Sequence, residues 1–279
     1  HLRERLFKEI KSNEALRVYV NGFPPGNRVP TIQDEFIVLA QPPVLADAAS
    51  LARERDRVIA DLKRRAFRAF PTQPPALDVQ IEHEFNGGGG IGHRFAFTPE
   101  DGWRLRGELV RQATVPTPAP AIVWLHSPGE DRFNVRGPMN RLGAPWVGIS
   151  VQPRGTGETS WSEDQNWHLR RAAAWTGRTL ASMRVWDTLR ALQSVRQLPE
   201  VDSTGVALAA RGEMCAVALY AALLDGGVGR LILDGAPATQ NAAGQRDGRG
   251  PAIEMLNCLR ITDLPQVAGL LWPTELVFV

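Results

Sequence analysis

The sequence predicts an α/β protein built on a doubly wound, mostly parallel sheet, and three observations carry that expectation. First, short apolar runs recur at 121–126, 146–151, 205–209, 230–234 and 275–279. Strands of this kind suit a parallel sheet, which is buried on both faces. Second, helical patterns separate or follow them at 178–195, 216–224 and 264–271. The clearest is the first, with Leu180, Met183, Trp186, Leu189, Leu192 and Val195 at three-residue spacing. Third, an antiparallel hairpin stands ahead of the alternation. Residues 93–97 and 103–110 alternate in polarity, and Thr98-Pro99-Glu100-Asp101-Gly102 supplies the turn between them. A hairpin leading into β-α-β-α-β places helices on both faces of one sheet.

Before the hairpin the chain is less regular. Residues 1–43 hold a short helical start, the turn-rich Asn21-Gly22-Phe23-Pro24-Pro25-Gly26 and a strand-like piece at 35–39. They read as a linker or the tail of a preceding domain. From 45 to 70 the pattern turns helical, with Leu51, Val58, Ile59, Leu62, Ala66 and Phe67 on one face. Pro71 and the Pro74-Pro75 pair stop it. A strand-like run at 79–85 and the glycines Gly87 to Gly90 follow. The expected organisation is therefore a linker at 1–43, a helical arm and connecting strand at 44–92, and the sheet domain at 93–279. The chain opens on His1 and closes inside the strand-like Glu275-Leu276-Val277-Phe278-Val279, which predicts a fragment whose sheet is truncated at the C-terminus.

Composition excludes several classes. The 279 residues equal about two average domains, although one α/β domain often uses as many. With 43% hydrophobic and 22% charged residues, the chain is neither disordered, collagen-like nor a coiled coil. The longest uncharged apolar run, 214–224, is too short to span a bilayer. Net charge is +2, and acidic residues are interspersed among the basic ones, so no nucleic-acid partner is expected. The cluster Lys63-Arg64-Arg65 with Arg68 reads as the solvated face of a helix. Cys215 and Cys258 offer neither a disulfide framework nor metal-ligand spacing. No metal and no cofactor are implied, and Gly87 to Gly90 lacks the following helix of a nucleotide loop.

Four segments resemble the α/β-hydrolase superfamily, in its bacterial acetyl xylan esterase and dienelactone hydrolase-like branch. The hairpin Phe97-Thr98-Pro99-Glu100-Asp101-Gly102-Trp103-Arg104-Leu105-Arg106-Gly107 precedes Pro120-Ala121-Ile122-Val123-Trp124-Leu125-His126-Ser127-Pro128-Gly129, which is similar to the strand and turn that shape an oxyanion hole. Gln152-Pro153-Arg154-Gly155-Thr156-Gly157-Glu158 is similar to the family's Asp-x-Arg-Gly-x-Gly-x-Ser loop, of which it keeps the Arg-Gly-x-Gly part. Met183-Arg184-Val185-Trp186-Asp187-Thr188-Leu189-Arg190-Ala191-Leu192 resembles the helix before the nucleophile strand, and Val201-Asp202-Ser203-Thr204-Gly205-Val206-Ala207-Leu208 resembles that strand with its approach. The likeness covers residues 93–279, and 45–70 is similar to the helical arm of the same branch.

The resemblance implies a Gly-x-Ser-x-Gly elbow directly after Ala209, where a sharp strand-to-helix turn lifts the nucleophile out of the sheet. The matching segment reads Ala210-Arg211-Gly212-Glu213-Met214, so Gly212 stands at the nucleophile position and the elbow is degenerate. Glycine has no side chain with which to attack a carbonyl. Cys215, three positions on, reads as a buried structural thiol, and Ser203 as turn chemistry before the strand. Ser127 sits in the oxyanion-type turn without a visible base. His126 is either a pocket residue that orients this turn or a satisfied strand-end histidine. By resemblance the acid and the histidine would fall beyond Val279. Asp234 is an alternative acid position or simply the strand end before Gly235-Ala236-Pro237. His168 lies beside Arg170 and Arg171, and His1, His83 and His93 have no constellation around them.

Two functions follow from the resemblance. One is a carboxylic ester hydrolase acting on acylated carbohydrate, with the Glu213 N–H as an oxyanion donor. The other is a non-catalytic domain that packs against, or binds carbohydrate beside, an active domain of the same polypeptide. Trp161, Trp167 and Trp175 are either core residues or stacking platforms for sugar rings. A third reading uses Glu213 or Asp234 as a general base on water. A polysaccharide ester implies a secreted or periplasmic location.

Overall fold

The computed structural model describes residues 11–29, 31–87, 90–130, 145–241 and 250–279. The helical start expected in the first ten residues, and Gly88 and Gly89 of the glycine run, lie outside the described residues. The chain divides into two compact units, His1–Val38 and Leu39–Val279.

In the first unit the described residues form turns and irregular stretches, with one helical turn, α1 (Gln33–Phe36). The strand expected at 35–39 is absent. Without a neighbouring strand, the Ile37 N–H bonds locally to the Gln33 carbonyl at 2.8 Å and closes a turn instead. An ion pair joins Arg28 to Glu35.

The second unit opens with the helical arm, α2 (Ala48–Asp61), which starts at a reciprocal cap between Asp47 and Ser50. It runs into a π-helical turn at Leu62–Ala66. Val58, Leu62, Ala66 and Phe67 form its buried face. Phe67 stacks on Phe70 at 4.8 Å and meets Tyr220 edge-on at 5.9 Å. On the other face, Lys63, Arg64 and Arg68 are exposed, and Arg64 pairs with Asp61.

Eight strands form one sheet in the order β1-β2-β3-β5-β4-β6-β7-β8. The first three, β1 (Gln80–Gly87), β2 (Gly90–Phe97) and β3 (Leu105–Gln112), are an antiparallel meander. The expected hairpin is its second half. β3 pairs antiparallel with β5 (Val147–Val151), and from there the sheet is parallel through β4 (Ala119–Leu125), β6 (Val201–Arg211), β7 (Arg230–Asp234) and β8 (Glu275–Phe278). The sequence expectation is thus met by a mixed, mostly parallel sheet. β6 begins four residues earlier than the apolar run. Its register against β4 jumps from Ala119↔Val201 to Ala121↔Val206, so Asp202, Ser203 and Thr204 are a bulged extension rather than an approach to the strand.

Among the described residues, four α-helices follow α2. α3 (Glu163–Trp175) has no apolar stripe in the sequence, and among its described residues only Ala173 is buried. Its start is nevertheless written in Ser162 and Gln165, which cap each other's backbone. α4 (Leu180–Val195) and α6 (Leu264–Leu270) start at Thr179/Ser182 and Asp263/Gln266 caps of the same kind. α5 (Met214–Asp225) is buried from Met214 to Leu223, which is why its sequence is apolar all round. No helix among the described residues is long and apolar enough to cross a membrane.

His93, which the sequence leaves without partners, is buried on β2 with Nδ1 3.6 Å from Glu200 Oε1. Burial holds its pKa below the ordinary 6.5, against the opposing pull of Glu200 and Glu84. Burial also lowers the pKa of His126, against Glu130. Both imidazoles therefore favour the neutral form when folded, whereas the unfolded chain takes up protons near 6.5. Stability is fully present above that pH and falls as pH drops below it, before the carboxylates titrate. Thermal melts between pH 7 and 5 should show a falling midpoint, and His93→Gln should flatten that slope.

Candidate functional site

The site forms where β4, β6 and β7 end, the carboxyl edge at which open α/β sheets place their ligands. β6 passes into α5 through Gly212 and Glu213. Gly212 adopts φ +55°, and a Cβ built on it meets nothing within 4 Å. Its N–H donates to the Asp234 carbonyl at 2.8 Å, which ties the turn to the end of β7. The apex is therefore a left-handed turn that glycine adopts freely, with open space above it and no functional group.

Cys215 lies in the first turn of the helix and points down rather than out. Its Sγ sits 3.4 Å from the Ala210 carbonyl and 3.5 Å from that of Asp234. Burial pushes the thiol up to about 12, so it stays protonated at neutral pH.

The turn after β4 carries His126 and Ser127. The His126 N–H donates to the Val151 carbonyl at 3.0 Å, and the residue is buried. Ser127 N–H donates to Glu130 Oε2 at 2.9 Å, and its Oγ donates to the Arg211 carbonyl at 3.2 Å. Ser127 is thus bonded to the strand end that feeds the elbow. Asp234 reaches the same place from β7, and its carboxylate pairs with Arg211 Nε at 2.8 Å on the exposed rim. Ser127, Gly212, Glu213 and Asp234 are brought together as residues of one edge. His126 stands beside them as a buried strand-end residue.

Beneath the edge lies a charged framework that the sequence did not reveal. Arg154, in the Arg-Gly-x-Gly loop, is 2% exposed and Asp187, on α4, is 0% exposed. Arg154 donates from Nε at 2.9 Å, from Nη2 at 2.6 Å and from its backbone N–H at 2.9 Å to the Asp187 carboxylate. Burial opposes the guanidinium charge, but Asp187 and then Glu100 more than offset it and raise the Arg154 pKa. Glu100 also takes Arg178 at 2.5 Å, and Arg154 stacks over Trp103 at 4.7 Å. One turn earlier on α4, Arg184 donates to the Arg154 carbonyl at 3.1 Å and to Glu213 Oε1 at 2.6 Å. The other oxygen of Glu213 accepts the Ala252 N–H at 2.8 Å. Glu213 is a clamped carboxylate. The signal that marks this framework is the Arg184/Asp187 pair three residues apart on one helix face.

Glu213 and Arg184 line a cavity of about 370 Å3, with Trp161 and Gly155 on its loop side. Gly155 is required there: its φ is +77°, and a Cβ would lie 2.4 Å from the Trp161 ring. Of the other two tryptophans, Trp167 lies under Arg171 at 4.4 Å and Trp175 is exposed. Among the described residues, no group of three or more His, Cys, Asp or Glu is placed to hold a metal ion.

No family model matches the chain, and none of the curated proteins does. Solved structures do. A Bacteroides fragilis protein to which acetyl xylan esterase activity is ascribed superposes with a TM-score of 0.68 at 11% identity, over 86% of this chain and 70% of that one. A glucuronoyl esterase from Solibacter usitatus gives 0.64 at 16% identity, over 87% and 79%. A glucuronoyl esterase from Teredinibacter turnerae gives 0.58 at 14% identity, over 85% and 68%. The architecture is the α/β-hydrolase fold.

The framework predicts its own cost of removal. Asp187→Asn leaves the buried Arg154 charge without its main partner and should lower unfolding free energy by roughly 3–5 kcal/mol. Arg230→Gln, which breaks the solvent-facing pair with Glu275, should cost less than about 1 kcal/mol. Urea denaturation of the two variants measures the contrast.

Proposed function

We propose that this chain is an esterase-type α/β-hydrolase domain whose own elbow has lost acyl-transfer chemistry. In this reading it serves as a packing or ligand-binding companion to an active domain of the same polypeptide, with residues 1–43 as the link. The observation that carries the proposal is Gly212: a left-handed apex with free space above it and no atom that can attack.

Covalent ester hydrolysis needs an oxygen or sulfur nucleophile with a base against it. Cys215 is protonated and faces the sheet. The Ser127 hydroxyl donates its hydrogen bond to the Arg211 carbonyl. The open pocket favours binding, and the names of the structural neighbours supply a ligand class, an acylated carbohydrate. Trp161 in the cavity wall suits the apolar face of a sugar ring. The general-base reading is disfavoured because the Glu213 carboxylate is held by Arg184 and by the Ala252 N–H rather than turned towards a water. Asp234 is likewise engaged by Arg211.

Fluorophosphonate labelling of the purified chain, with mass spectrometry to locate any adduct, tests the proposal. No residue between 93 and 279 should be modified, and hydrolysis of p-nitrophenyl acetate should be unchanged by Glu213→Gln. An adduct on Ser127, or loss of hydrolysis in Glu213→Gln, would overturn it.

A further inference from the structure

Glu213 does more than fill the position after the apex. Its two carboxylate oxygens face opposite ways: Oε1 takes Arg184 from α4, and Oε2 takes the Ala252 N–H from the segment at 250–255. That segment has no regular secondary structure, yet Ala252 and Ile253 are buried, at 2% and 7% exposure. A second side chain holds it from the outside. Arg170, on α3, donates to both oxygens of Glu254 at 2.8 Å, to the Gly250 carbonyl at 3.1 Å and to the Pro251 carbonyl at 3.4 Å. Inside, Gln240 donates to the Ile253 carbonyl at 2.8 Å.

The stretch has no ladder of its own: besides the burial of Ala252, Ile253 and Met255, it is held by side chains from other elements, and loss of such holders favours local opening. Here two of the holders are ionic and sit on opposite sides. Three members of the arrangement, Gly250, Glu213 and Arg184, also line the 370 Å3 cavity. Moving the segment therefore removes part of the cavity wall.

We propose that residues 250–255 form a strap, clasped by Glu213 on the elbow side and by Arg170 on the outer side, whose release opens the cavity beside the elbow. The carboxylate next to the nucleophile position is thereby a latch. This inference does not depend on whether Gly212 has replaced a nucleophile.

The native thiols make the strap easy to follow. Cys215 and Cys258 are buried, and burial pushes both up to about 12, so they are silent towards alkylation in the folded chain. Ala252→Cys places a buried reporter thiol on the strap itself. Its reaction with iodoacetamide is then followed in three chains: Ala252→Cys alone, with Arg170→Met, and with Glu213→Ala. Glu213→Ala should speed labelling of the reporter roughly tenfold, the factor expected for loss of one charge-assisted hydrogen bond, and Arg170→Met, which removes four bonds, at least as much, while Cys215 stays unlabelled. Equal rates in the Arg170→Met chain and its parent would overturn the proposal. So would labelling of Cys215 at the reporter's rate, which would report global unfolding. Glu213→Ala leaves Arg184 unpaired, so Arg170→Met decides the matter alone if that chain does not fold.

Discussion

Two opposite charges taken almost wholly out of water cost several kcal/mol each to desolvate, and only near-ideal geometry repays it. Arg154 and Asp187 meet that condition, with a two-pronged guanidinium contact and a third bond from the Arg154 backbone onto one carboxylate. Much of the site depends on this pair. It anchors the loop after β5 to α4, and with the loop anchored, Gly155 can lie against Trp161. It also sets the Arg154 carbonyl where Arg184 can bond it. Arg184 in turn reaches across to the first residue after the elbow apex. One helix thus registers the loop, the elbow and the cavity wall against each other, through side chains one turn apart.

At the elbow, backbone and chemistry part company. The strand-to-helix turn, its left-handed apex and its bond to the end of β7 are all present without a side chain at the apex. The same features that make such a turn costly for other residues make it easy for glycine, which adopts φ +55° with little strain. A side chain at this apex would have to adopt the left-handed backbone that glycine takes freely. The neighbouring Glu213 is absorbed into the electrostatic framework instead of facing the open space.

The charged groups near the site are mutually neutralised in sets: Arg154 and Arg178 with Asp187 and Glu100, Arg184 with Glu213, Arg211 with Asp234, and Arg170 with Glu254. A catalytic carboxylate or imidazole usually stands apart from such pairs with a displaced pKa. At this edge the strongly displaced group is the Cys215 thiol, displaced towards inertness. The electrostatics are those of a framework that holds shape.

By itself the sequence determined the fold class, because parallel-strand runs and helix caps are local patterns set by apolar spacing and by single side chains. Strand β7 and helix α4 sit almost where their patterns end. It placed Gly212 at the strand-to-helix turn too, since that position follows directly from the strand before it. Where local pattern was weak, the reading failed. α3 buries too little to leave an apolar stripe, the 35–39 strand had no partner to pair with, and the bulge in β6 hid its first residues. Only the tertiary structure decided what the polar residues do. Arg154, Asp187, Arg184 and Glu213 come from three segments, and ion pairing across such distances leaves no periodicity in a single chain. Ala252 bonds to Glu213 across 39 positions, so the latch exists only once the sheet has brought its two halves together.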